Sequence, residues 1–152
     1  MRTVLSLLPV AVLVVCGCES EPGPVPVYPV SGQVLYAGKP AAGVHVYFNA
    51  AGGTPTPVNP HAVTGPDGKF TLSTYADGDG APEGSYQVLM TWPPEVPEGA
   101  EPPDTDRLQG WYGMAHSKLT AQVKAGENTL PPFQLPAVSR PAGEIEGIPG
   151  RN

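Results

Sequence analysis

The sequence predicts an all-β domain folded as a small sandwich, and three observations carry that expectation. Apolar residues recur at every second position in several short runs. Turn-forming Gly, Pro and Asp groups separate those runs, and no segment of ordinary helical length shows a 3.6-residue period. With 19 glycines and 21 prolines in 152 residues, the composition lies close to that of disordered chains. Here, however, these residues gather between the apolar runs, as a turn-rich β domain requires.

The first run places Val30, Gly32, Val34 and Tyr36 on one face and Ser31 and Gln33 on the other. Ala37-Gly38-Lys39-Pro40 is a turn, after which Val44, Val46 and Phe48 repeat the alternation with His45 and Tyr47 facing away. The connection is short, so these two runs are expected to form an antiparallel pair. His61 to Thr64 is a short strand, and Gly65-Pro66-Asp67-Gly68 is a tight turn in which Pro presets φ and Asp-Gly suits positive φ. Phe70, Leu72 and Thr74 alternate next. Tyr86, Val88, Met90 and Trp92 then form the clearest strand face.

Residues 93–116 are acidic and proline-rich and cannot be a central strand, because proline lacks the ladder donor. Within them, Asp104 to Tyr112 is expected to make one helical turn capped by Asp104. Leu119, Ala121 and Val123 alternate, and Phe133 and Leu135 close the domain in a run that Pro131 and Pro132 confine to a sheet edge. Six or seven short strands at this spacing suit two small packed sheets.

The N-terminal segment has a different character. Arg2 precedes Val4–Val15, twelve residues without a charge. A membrane-spanning helix needs about 20 apolar residues, so this length suits the apolar region of a secretory signal. Val15-Cys16-Gly17-Cys18 resembles a lipobox, with Gly17 as the small residue before cleavage and Cys18 as the lipidated position. Residues 1–17 are therefore expected to be a lipoprotein signal peptide. Cys16 leaves with it, and Cys18 is then the only mature cysteine. Residues 18–28 are expected to be a proline-rich, extended tether reaching roughly 30 Å. The domain is assigned to 29–136, and 137–152 to a disordered tail.

The charge of −6 becomes one unit more negative once Arg2 is removed, and no basic patch exists. That composition argues against nucleic-acid binding and against electrostatic adhesion to an anionic membrane surface. Membrane association is expected through lipid on Cys18, since two or more acyl chains anchor stably where one does not.

Several segments together resemble carboxypeptidase regulatory-like domains. These are Pro29-Val30-Ser31-Gly32-Gln33-Val34 with Gly38-Lys39-Pro40 and Gly43-Val44-His45-Val46, then Thr64-Gly65-Pro66-Asp67-Gly68-Lys69-Phe70, and Gly84-Ser85-Tyr86-Gln87-Val88. A subgroup of small bacterial lipoproteins is similar in Asp79-Gly80-Ala81-Pro82, in Tyr112 followed by Ser117, and in Val123 with Gly126 and Asn128. The resemblance covers about residues 29 to 136. It implies a single seven-stranded, transthyretin/prealbumin-like β-sandwich and no catalytic role, because in peptidases the module is an accessory to the catalytic domain.

Candidate chemistry is sparse. The hydroxyisourate hydrolases of the transthyretin-like fold end in Tyr-Arg-Gly-Ser, whereas this chain ends Pro-Gly-Arg-Asn. His45, His61 and His116 are scattered singly, without zinc-ligand spacing. Asp77-Gly78-Asp79-Gly80 is the nearest approach to a calcium loop, so Asp77 and Asp79 are the weak metal candidates. A calcium loop of the helix–loop–helix type needs a Glu at its twelfth position, which is Val88 counting from Asp77, and a plain Asp-Gly turn is the preferred reading. No catalytic residue or cofactor is assigned.

Trp111 and Tyr112 are the candidate ligand surface, set against the alternative that they plug the sandwich edge. The expected function is a non-catalytic, lipid-anchored envelope module on the periplasmic or outer-membrane face, with an envelope protein or polysaccharide as partner. The alternative is a carbohydrate-binding module.

Overall fold

The computed structural model describes residues 24–51, 58–97, 99–101, 103 and 105–139. The signal segment, Cys18, the first part of the tether, Asp104 and the chain from residue 140 onward lie outside the described residues.

The described chain is all-β, with no helix. Its strands are β1 (Val27–Tyr28), β2 (Val30–Tyr36), β3 (Lys39–Pro40), β4 (His45–Ala50), β5 (His61–Val63), β6 (Lys69–Thr71), β7 (Ala81–Pro82), β8 (Gly84–Thr91), β9 (Thr120–Val123), β10 (Asn128–Thr129) and β11 (Phe133–Leu135). One sheet is built around β2, which pairs antiparallel with β3 and β6 and parallel with β10 and β11. The other is antiparallel in the order β5-β4-β8-β9. A small ribbon joins β1 to β7.

Alternation decides which residues meet. Val30 and Val34 from β2, Val46 and Phe48 from β4, and Tyr86, Val88 and Met90 from β8 are all buried. With Val44, Phe70, Leu72, Trp92, Leu108, Val123 and Leu135 they form one core cluster, giving a sandwich-like arrangement. Each such large apolar side chain contributes roughly 1.5–3 kcal/mol on burial.

The runs at 30–36 and 44–48 do not pair with each other, contrary to expectation. A tight turn at Ala37-Gly38 returns the chain so that Lys39–Pro40 pairs with Leu35–Tyr36. The next residues then cross to the other sheet, where β4 lies between β5 and β8. Period-two alternation reports which face of a strand is buried and is silent on its neighbour.

Thr64 holds that crossing. Its hydroxyl donates to the Ala41 carbonyl at 2.6 Å and accepts the Val44 N–H at 2.9 Å, both buried. The Thr64 carbonyl also accepts the Gly43 N–H at 2.9 Å. Four residues further on, Gly68 sits with positive φ against the Val34 carbonyl, where a Cβ would come within 2.5 Å of that oxygen. Asp67 accepts the Lys69 N–H at 3.1 Å and pairs with the Lys69 ammonium at 3.3 Å. The Phe70 ring covers Gly32, its cross-strand neighbour. The segment from Thr64 to Phe70 thus ties the two sheets at one end.

Other departures concern the ends of the domain. Val27–Tyr28, assigned to the tether, is a strand against Ala81–Pro82, so ordered structure begins before residue 29. Gly80 permits this, because a Cβ there would collide with the Tyr28 carbonyl. At the other end, the Val138 N–H donates to the Tyr36 hydroxyl at 3.0 Å, within the stretch assigned to the tail. The run after Pro131-Pro132 does lie at a sheet edge. It pairs only with β2 among the described residues, and the register slips by one residue between Thr129↔Ser31 and Phe133↔Val34. That slip is a bulge, a place where prolines are tolerated.

Two substitutions test this account. Thr64→Val should cost about 1–3 kcal/mol, because it strands a buried carbonyl and a buried N–H. Gly80→Ala should cost at least about 2 kcal/mol through its clash with the β1 backbone. Urea denaturation followed by far-UV circular dichroism measures both.

Candidate functional site

Residues 105–119 run beside β8 and carry Trp111 and Tyr112. No helical turn forms there. The segment is a series of turns, and its organising carboxylate is Asp106. Asp106 Oδ1 accepts the N–H of Trp92 at 2.8 Å and of Leu108 at 2.9 Å, and Oδ2 accepts that of Gly110 at 3.0 Å. The signal for this was present as Asp106 two residues ahead of Leu108 and followed by Gln109-Gly110, an Asx-turn pattern. Leu108 is fully buried and pins the segment to the core. The same segment covers the edge of β8 beyond β9. Met90 N–H donates to the Tyr112 carbonyl, Val88 N–H to the Leu119 carbonyl, and the Ser117 hydroxyl to the Val88 carbonyl.

These constraints assemble an aromatic cluster at one end of the fold. The Trp92 indole N–H donates to the Ala42 carbonyl at 2.8 Å. The Arg107 guanidinium lies 3.6 Å from the Trp92 ring centroid, a cation–π contact. Tyr36 meets Trp92 edge-on at 5.2 Å. Tyr112 is half-buried against the core, and desolvation, with the neighbouring Tyr36 adding to it, raises its hydroxyl pKa. Trp111 is 41% exposed. Together with Pro136, Ala137, Val138 and Ser139, Trp111 and Tyr112 line a cleft of about 270 Å³.

Both readings of this pair therefore have a structural counterpart: Tyr112 packs against the core, and Trp111 faces solvent. The lining combines apolar ring faces with one serine and one tyrosine hydroxyl. Such a surface suits stacking against a flat or ring-shaped ligand.

The remaining candidates do not gather. Cys18 lies outside the described residues. His45 Nδ1 is 3.3 Å from the Tyr47 hydroxyl, and His61 Nδ1 is 3.2 Å from the Asn59 carbonyl, which requires the proton on that nitrogen. No three His, Cys, Asp or Glu side chains converge among the described residues.

In the Asp77–Gly80 loop, Asp79 Oδ1 accepts the Thr74 N–H at 2.7 Å and Oδ2 accepts those of Tyr75 and Ala76 at 2.9 Å each. Among the described residues Asp77 accepts the Ser73 hydroxyl, at 3.4 Å. The loop is closed by its own amides, with Asp79 as the closing residue. Desolvation raises the Asp79 pKa, but the amide bonds outweigh it and the net shift is downward.

No protein-family model matches this chain, and no curated protein matches it.

The downward shift of Asp79 has a defined pH signature. Its contribution to stability is complete above the unfolded-chain pKa, near 3.8, and is lost as pH falls through the lower folded value. Asp79→Asn should therefore flatten the acid limb of the stability curve below about pH 4, as measured by urea midpoints across pH. Asp106→Asn should cost about 1–2 kcal/mol, because its amide N–H₂ replaces one acceptor facing backbone donors. It should also shift the Trp fluorescence maximum.

Proposed function

We propose that this chain is a lipid-anchored, exported β-sandwich of the carboxypeptidase regulatory-like, transthyretin-like kind. It serves as a structural or protein-interaction module of the cell envelope. The observation that carries the reading is the order of the sequence: a twelve-residue uncharged run, Val15-Cys16-Gly17-Cys18, a short proline-rich stretch, and then an all-β domain. Two of the segments that carry the resemblance have defined positions in the all-β domain. Thr64–Phe70 is the tie between sheets, and Gly84-Ser85-Tyr86 opens β8 with the Tyr86 hydroxyl donating to the Pro82 carbonyl at 2.7 Å. That is the geometry of a tyrosine corner, a recurrent feature of sandwiches. Non-catalytic work fits the dispersed His and Asp residues, whose polar atoms bond to the domain's own backbone and hydroxyls. Function in such folds resides in sites and edges, not in the fold itself.

A second reading, carbohydrate binding, is favoured by one observation, the Trp111–Tyr112 cleft.

The two readings separate by experiment. Cys18→Ser should abolish incorporation of labelled palmitate and release the protein from the membrane fraction; persistent labelling would place the anchor elsewhere. A glycan array probed with the purified chain should stay silent under the first reading. Binding that is lost in Trp111→Ala would establish the second.

A further inference from the structure

We propose that the open edge of β9 takes up an extended segment of a partner protein as an added antiparallel strand. That segment carries apolar side chains facing inward and acidic residues at its ends. The proposal rests on the interaction-module reading and names where and what such a module would bind.

The phase of the ladder shows which groups are available. Val88 N–H donates to the Leu119 carbonyl, and the β8–β9 register continues as Gln87↔Thr120, Tyr86↔Ala121, Ser85↔Gln122 and Gly84↔Val123. Hydrogen-bonded and non-bonded pairs alternate in an antiparallel ladder. Ala121 and Val123 therefore bond to β8, while the N–H and C=O of Thr120 and Gln122 point away from it. The Ser85 hydroxyl meets the Gln122 side chain at 2.6 Å, as the closer side chains of a non-bonded pair allow. Among the described residues no strand occupies that outward side.

Three other edges carry cover of their own among the described residues. The 112–119 segment covers β8 beyond β9. On β5, His61 bonds to Ser73 in both directions. Beside β10 and β11, Pro131 and Pro132 remove donors.

The groove beside β9 fixes the chemistry of the occupant. It measures about 560 Å³, and its far wall is the β10–β11 segment with Leu130, Pro132 and Phe133. Residues of an added strand opposite Ala121 and Val123 would project into this space and bury apolar side chains. The exposed residues Lys118 and Lys124 flank the edge on one face, six positions apart. Glu127 lies at the Lys124 end, so the Lys118 end carries the greater share of any preference for acid. A second copy is the poorer fit. Antiparallel self-pairing about Ala121 would set Lys118 of one copy opposite Lys124 of the other, and two alanines would face each other across a groove built for larger side chains.

The test uses the full chain in detergent micelles and a capped peptide, Glu-Val-Thr-Val-Thr-Ser-Glu. The peptide should bind and slow amide exchange at Thr120 and Gln122. A peptide with Lys at both ends should bind about fivefold more weakly, as expected for two cross-strand charge pairs, and Lys118→Glu should reverse that order more than Lys124→Glu. N-methylation of both peptide threonines should abolish binding. Unchanged exchange at saturating peptide, or equal affinity for the two peptides, would overturn the proposal. So would protection of Thr120 and Gln122 in the free chain, whether it accompanies dimerisation in sedimentation or disappears when residues 140–152 are removed. Palmitate labelling at Cys18 is independent of β9, so failure here leaves the anchoring test untouched.

Discussion

The hydroxyl of Thr64 holds together a chain that changes sheets twice in quick succession. Between β2 and β4 the backbone leaves one sheet and enters the other, exposing the Ala41 carbonyl and the Val44 N–H in the interior. Buried backbone groups of this kind must be paired. A single side chain from the β5–β6 connection satisfies both, and it lies on the segment that itself crosses back. The Gly43 N–H on the Thr64 carbonyl and the Trp92 indole N–H on the Ala42 carbonyl add further polar ties to the same crossing. Burial favours collapse in general, and the hydrogen bonds select which strands face each other.

The same economy recurs in the loops. Asp79 and Asp106 each gather three backbone N–H groups, so two acidic residues in Gly-rich surroundings act as internal organisers of the backbone. Ser117 does comparable work with its hydroxyl on the Val88 carbonyl. The long irregular stretch after β8 is consequently fixed to the sheet through Leu108, Tyr112 and Ser117, and it holds Trp111 at the surface. An acidic, turn-rich composition is compatible with close packing when the carboxylates are spent on the backbone.

Faces were more legible in the sequence than partners were. The alternation at Val44, Val46 and Phe48, and at Tyr86, Val88, Met90 and Trp92, identifies buried positions directly, because side chains in a strand project to opposite sides. The same residues carry no record of which strand lies alongside, and the antiparallel pairing expected of β2 and β4 failed for that reason. Two-residue strands such as Val27–Tyr28 are too short to show a period. Asp104 and Asp106 share the residue type of a cap, and the local signal for Asp106 is the Gln109-Gly110 pair that follows Leu108. The aromatic pair Trp111–Tyr112 was visible as composition, but the contribution of Pro136–Ser139 to its cleft depends on a chain reversal that no local pattern records.

The pairing of β1 with β7 also has a mechanical meaning. Tension applied to the chain ahead of Val27 enters through β1 and passes directly into β2, which is bonded along both sides. A pull directed along the β2 axis would load its ladder bonds side by side in shear instead of peeling them apart in turn. The central strand of the sheet is thus also the one that receives any traction applied ahead of Val27.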